Sequence, residues 1–218
     1  MTMKNRINIL ALGLLMAGGL AMSSCTKNDD STIVLIGTEY YIDDILSVIP
    51  DSLQTRFFAD FGSIPNGSVP PKVEGSYIVA PKQRVSSNVP DWPPQTVEPN
   101  VYMRFSDQHN GIVKMELNEA TDTMTDTVFV CGSGHTFAVY FIENKIFEMS
   151  INNQVYSARM KRGVVMKGEV TDAGLSNFRY ATVVMETEDG SNGIIGLSDI
   201  GSYFIYKDGD GLAKKEDW

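Results

Sequence analysis

Residues 101–117 read Val101-Tyr102-Met103-Arg104-Phe105-Ser106-Asp107-Gln108-His109-Asn110-Gly111-Ile112-Val113-Lys114-Met115-Glu116-Leu117, and their alternation decides the fold class. Val101, Met103 and Phe105 fall on one side, Tyr102 and Arg104 on the other. Val113, Met115 and Leu117 repeat the pattern, with Lys114 and Glu116 outward. A period of two is the spacing of a strand with one buried face. Between the two runs stands Asn110-Gly111, a pair that tolerates positive φ and closes a tight hairpin.

The same pattern extends outward. Strands are expected at 73–79, 126–131, 136–142, 145–151, 154–160, 163–171, 178–187 and 201–207, with turn residues at Asn152-Asn153, Gly190 and Asn192-Gly193. Short strands joined by tight turns are antiparallel neighbours. About nine or ten of them laid flat would leave two exposed edges, and closing the sheet removes both. The expected fold is therefore mainly β, an antiparallel up-and-down barrel. Upstream, prolines at 65, 70, 71, 81, 90, 93, 94 and 99 mark long loops with few strands. Before them, Tyr41, Ile45, Val48 and Ile49 recur at helical spacing. After Pro50, Leu53, Phe57, Phe58 and Phe61 share one side of a second short helix, with Asp51 or Ser52 able to cap it and Gly62 to stop it.

The run Lys72-Val73-Glu74-Gly75-Ser76-Tyr77-Ile78-Val79 resembles the opening strand of a lipocalin-type barrel, where Gly-x-Trp plugs the closed end; Tyr77 stands in the Trp position here. Phe105-Ser106-Asp107-Gln108, Gly132-Ser133-Gly134 and Gly168-Glu169-Val170 look like pieces of lipocalin-like lipoproteins. The similarity covers roughly residues 64–207 and is a pattern of strands and turns, not a catalytic signature; a shared fold alone confers no ligand.

The N-terminus suggests an address. Lys4 and Arg6 precede an apolar stretch from Ile7 to Met22, followed by Ser23, Ser24 and Cys25, the order of a secretory signal peptide. Met22-Ser23-Ser24-Cys25 resembles a bacterial lipobox, with Met22 where Leu is usual. That resemblance implies cleavage between Ser24 and Cys25 and acylation of Cys25. Thr26-Lys27-Asn28-Asp29-Asp30 resembles the export tag of surface lipoproteins of gut-type Gram-negative bacteria. The expected location is the outer membrane, lipid-anchored and surface-facing. The expected organisation is a signal at 1–24, a lipidated tether at 25–38, a helical segment at 39–62 and the barrel at 63–218.

Composition narrows the partners. The formal charge is −9, and removing residues 1–24 takes Lys4 and Arg6 but no acid, leaving −11. An acidic chain lacks the basic face that phosphate backbones require, so no nucleic-acid partner is expected. Anionic headgroups likewise repel it, leaving acyl chains as the membrane link. With Cys25 acylated, Cys131 would be a lone buried thiol.

Catalytic spacing is absent from this reading. His109 and His135 are expected in turns, and Gly132-Ser133-Gly134 lacks the spacing of a hydrolase elbow. Asp208-Gly209-Asp210-Gly211 opens like a calcium loop but reads as a terminal turn. Acid pairs such as Asp43-Asp44 and Glu186/Glu188 read as solvated surface. No catalytic residue, cofactor or metal is expected. Tyr and Met on the strands suit either a filled interior or a small apolar cavity, and Trp92 suits a lid. The expectation is a barrel that binds a small apolar ligand or an envelope partner. The alternatives are an interaction protein with a filled barrel, whose helices around Phe57 and Phe61 form a partner surface, and an envelope hydrolase.

Overall fold

The computed structural model describes residues 45–90, 94, 97–120, 122–151, 154–187 and 199–217. The signal, Cys25, the tether, Tyr41, Trp92 and the turns at 152–153 and 190–193 lie outside the described residues.

Eleven strands follow a short 3-10 turn, Ile45–Val48, and one helix, α1, Asp51–Phe61. They are β1 Gly75–Val79, β2 Lys82–Ser87, β3 Val97–Glu98, β4 Val101–His109, β5 Ile112–Glu119, β6 Asp122–Ser133, β7 Thr136–Ile151, β8 Gln154–Val170, β9 Gly174–Thr187, β10 Tyr203–Asp208 and β11 Leu212–Lys215. Three pairs of these are bent halves of one stave. β1 and β2 meet at the cis Ala80-Pro81 bond. β3 and β4 keep a single register along that bent stave, Gln83 facing Val97 and Val79 facing Val101. β10 and β11 run together past β9, which pairs with both. β11 also pairs with β1, closing the sheet into an antiparallel up-and-down barrel of eight staves.

The hairpin expected at Asn110-Gly111 is present, with φ of 48° and 76° at the two residues. The alternation expected for β4 and β5 also holds: Val101, Met103, Phe105, Val113 and Met115 are all buried in the interior cluster. Three expectations change. Lys82–Ser87 is a strand where proline-marked loop was expected. The runs 136–142 and 145–151 are one strand, β7, and the runs 154–160 and 163–171 are one strand, β8. In each case charged side chains interrupt the apolar alternation at positions that point inward, and a charged inward residue reads in sequence as a break. The first turn of α1 is also capped differently: Pro50 holds the cap position and no side chain bonds the free N–H groups. Gly62 does end the helix, at φ 83°.

Two apolar clusters result. One fills the barrel. The other lies on the outer wall, where Val48, Ile49, Phe57 and Phe61 pack on Ala138, Tyr140, Val165, Val183 and Tyr203. Phe57 and Phe61 are 0% exposed, so the helix spends its apolar face on the barrel and offers no partner surface there. Phe57 meets Tyr203 edge-on at 5.8 Å. Polar contacts hold the last turn of α1: Asp60 accepts bonds from Ser86 Oγ at 2.6 Å and Tyr203 Oη at 2.7 Å. Arg179 Nη1 donates to the Asp60 carbonyl at 2.9 Å, taking one of the acceptors a helix end leaves open.

Candidate functional site

The interior divides into an apolar end and a charged end. The hairpins at His109–Ile112, Ser133–Thr136 and Val170–Gly174 gather at one end of the barrel. Tyr77 fills this end as the Gly-Ser-Tyr motif suggested: it is 1% exposed, and its hydroxyl donates to the Val73 carbonyl at 3.1 Å. Phe105 lies beside it, ring centres 6.2 Å apart.

Toward the other end the inward positions carry charge. Lys82 and Arg84 are each 2% exposed. Lys82 bridges Glu98 at 3.1 Å and Glu119, and its ammonium stands 4.4 Å from the centre of the Tyr206 ring. Arg84 lies 3.3 Å from Glu98, an ion-pair distance at which neither atom makes an aligned hydrogen bond. Glu143 and Arg162, partners across β7 and β8, form a further inward pair. Burial is the largest influence on the Arg162 pKa and lowers it, but the Glu143 carboxylate and its hydrogen bond, together with Tyr180 and Tyr206, raise it overall. The Tyr180 and Tyr206 phenols are pushed well above their ordinary value by burial and stay neutral. Cations this deep persist only because carboxylates face them. Sequence reading missed these residues. The available signal was complementary charge at positions 143 and 162, which becomes visible only once the two strands are set in register.

The barrel wall opens between β6 and β7. Their pairing runs from Ser133–Thr136 to Phe129–Tyr140, and no further pair between them is made among the described residues. Each strand continues with its other neighbour: β6 pairs with β5 down to Asp122, and β7 with β8 up to Ile151. Three more steps in the same register would set Asp126 opposite Glu143. Both belong to the inward face, since Asp126 pairs with buried Met115 and Glu143 with Arg162. Like charges directly opposite each other destabilise a strand pair, so pairing continued in this register would be disfavoured at that step.

A pocket of about 510 Å³ occupies the opening, within the size range of small-molecule sites. Leu117, Met124 and Phe141 supply its apolar side, Glu119, Asp126 and Glu143 its carboxylates, Lys145 and Arg162 its cations, and Tyr180 an aromatic wall. Its lining is mixed, so the expectation of a purely apolar cavity is corrected. Asp126 differs from the other acids of the barrel. Its carboxylate accepts the Thr127 N–H at 2.7 Å, burial pushes its pKa up, and no ion pair among the described residues involves it.

The remaining candidates lie elsewhere. His109 and His135 are exposed at turns of the closed end, and Nδ1 of His109 lies 2.7 Å from the Asp107 carbonyl oxygen. Asp208 is fully buried and accepts N–H bonds from Ala80 at 2.9 Å, Asp210 at 3.0 Å and Leu212 at 3.3 Å. The Asp208–Gly211 stretch therefore ties the bend between β10 and β11 rather than forming an open oxygen cage. Among the described residues no group of three His, Cys, Asp or Glu side chains could hold a metal, and no helix is long and apolar enough to cross a membrane. Cys131 is buried with its sulfur 3.4 Å from the Pro65 carbonyl oxygen. The chain's other cysteine, Cys25, lies outside the described residues.

What the fold and pocket define is a class: an eight-stave up-and-down barrel of lipocalin-like form with a side-opening, partly ionic pocket. No family model, curated protein or solved structure matches the chain.

Proposed function

We propose that this chain is a lipid-anchored lipoprotein of the bacterial outer membrane whose lipocalin-like barrel binds a small ligand. The observation that carries the binding reading is the pocket in the β6–β7 opening, where a carboxylate, aromatic rings and apolar side chains converge on about 510 Å³. A barrel with a filled interior and closed walls would have no such space. The address is supported by the order of residues 4–30: positive charge, apolar stretch, Ser24-Cys25, then Lys27 and Asp29-Asp30. More than one acyl chain on Cys25 would hold the barrel at the surface on a tether.

Acylation of Cys25 and an intrachain disulfide to Cys131 exclude each other, because one sulfur cannot form both bonds. The mass of the mature chain distinguishes them. The expected result is an N-terminal Cys25 peptide carrying a thioether-linked glyceride. Membrane fractionation of Cys25→Ser should move the protein out of the membrane pellet. Native mass spectrometry of protein extracted from its own host tests the binding reading, and a ligand-free protein with no affinity for added small molecules would count against it.

The filled apolar half of the barrel favours a second reading, an interaction protein without a ligand. Crosslinking in the intact envelope that captured one dominant partner would support it.

A further inference from the structure

The ligand of the pocket can be assigned a charge. Resting on the reading of the barrel as a binding protein, we infer that the β6–β7 opening takes a small organic cation, an ammonium group on an apolar or aromatic body, with the ammonium received by Asp126 beside Glu143. Three cations of the interior are paired within the barrel: Lys82 with Glu98 and Glu119, Arg84 with Glu98, and Arg162 with Glu143. Asp126 lines the pocket with no ion pair among the described residues, whereas the other inward carboxylate without one, Asp208, is occupied by three backbone N–H groups.

Its surroundings fit an ammonium and not an anion. Asp126 stands on the β6 bank of the opening and Glu143, paired with Arg162, on the β7 bank, so the charge offered to a ligand is that of Asp126. The cations of the lining are already engaged: the Arg162 guanidinium holds Glu143, and Lys145 has a partner of its own. Tyr180 contributes a ring face of the kind that attracts cations. Leu117, Met124 and Phe141 would cover the apolar body.

The test uses two probes of nearly the same length and opposite charge, 2-phenylethylamine and 3-phenylpropanoate. Each is titrated calorimetrically at neutral pH into the mature full-length protein held in phospholipid nanodiscs, with empty nanodiscs as the blank. The amine is expected to bind more tightly than the carboxylate by about tenfold or more, the scale of one charge-assisted contact. Asp126→Asn should erase that preference, and Asp126→Glu should keep it. Thermal unfolding of Asp126→Asn should occur no lower than in the parent chain, because the replaced carboxylate is desolvated and its amide oxygen can still accept the Thr127 N–H. A carboxylate that binds as tightly as the amine, or an amine affinity unchanged in Asp126→Asn, would overturn the assignment while leaving a binding barrel intact. Failure of both probes to bind would overturn the assignment and the binding reading together.

Discussion

Glu143 and Arg162 face each other across β7 and β8 inside the barrel, with Arg162 Nε donating to Glu143 Oε1 at 3.0 Å. Each side chain is largely buried. Removing one partner strands the other charge in a poorly solvated interior, which is the costly way to break such a pair. Glu143→Ala should therefore lose about 3 kcal/mol of stability in urea unfolding, whereas the double change Glu143→Leu with Arg162→Met should recover most of it. A Glu143→Ala loss as small as that of an exposed ion pair would mean that water reaches Arg162.

The carboxylate of Asp208 accepts three backbone N–H groups, from Ala80, Asp210 and Leu212, across the bends of two neighbouring staves. Asp208→Ala would leave these donors without acceptors, and about 3 kcal/mol of destabilisation is expected. Hydrogen exchange gives a local readout: the Ala80 and Leu212 amides should lose protection before the amides of β7 and β8.

Gly163 has a Cβ-shaped absence with a function. A methyl group there would overlap the Val48 carbonyl oxygen, a backbone atom of the 3-10 turn. Gly163→Ala must lift the 3-10 turn off β8 or bend the strand, at a cost of about 3 kcal/mol. Near-ultraviolet circular dichroism should show a changed environment for Tyr140 and Tyr203, which share the outer apolar cluster with Val48.

Lys167 predicts a pH dependence. Its Nζ donates to the Ser63 carbonyl at 2.7 Å and stands 4.6 Å from the centre of the Phe61 ring. Burial, together with the Arg179 charge, lowers its pKa from 10.5 to about 8. Between those two values the unfolded chain holds a proton that the folded chain has released, so stability rises with pH across that window. Below it both states are protonated and the penalty is constant. Unfolding free energies measured from pH 8 to 10.5 should therefore climb more steeply for the parent chain than for Lys167→Met.

Much of the barrel was legible in the sequence. Val101 to Leu117 revealed two strands and their turn because each inward residue was apolar and each outward one polar. Tyr77 was legible as a plug, and Gly62 as a helix stop. The site was not legible, for a physical reason. Lys82, Arg84, Glu143 and Arg162 point inward, and alternation equates inward with apolar. Their charges therefore read as breaks in β7 and β8 and as loop before β4. The segment around Phe57 and Phe61 was legible as amphipathic, but its amphipathicity did not identify the barrel wall as what it covers.

What the sequence by itself determined is local: which residues alternate, where the chain turns, which residues form the helix, and the order of charge, apolar stretch and cysteine at residues 4–25. What only the tertiary structure decided is pairing. Register makes Glu143 the partner of Arg162, and the same register carried on would set Asp126 against Glu143, where β6 and β7 part. A period-two pattern says which face a residue takes but not which residue lies opposite. Ion pairing, like-charge repulsion and the pocket between the parted strands depend on what lies opposite.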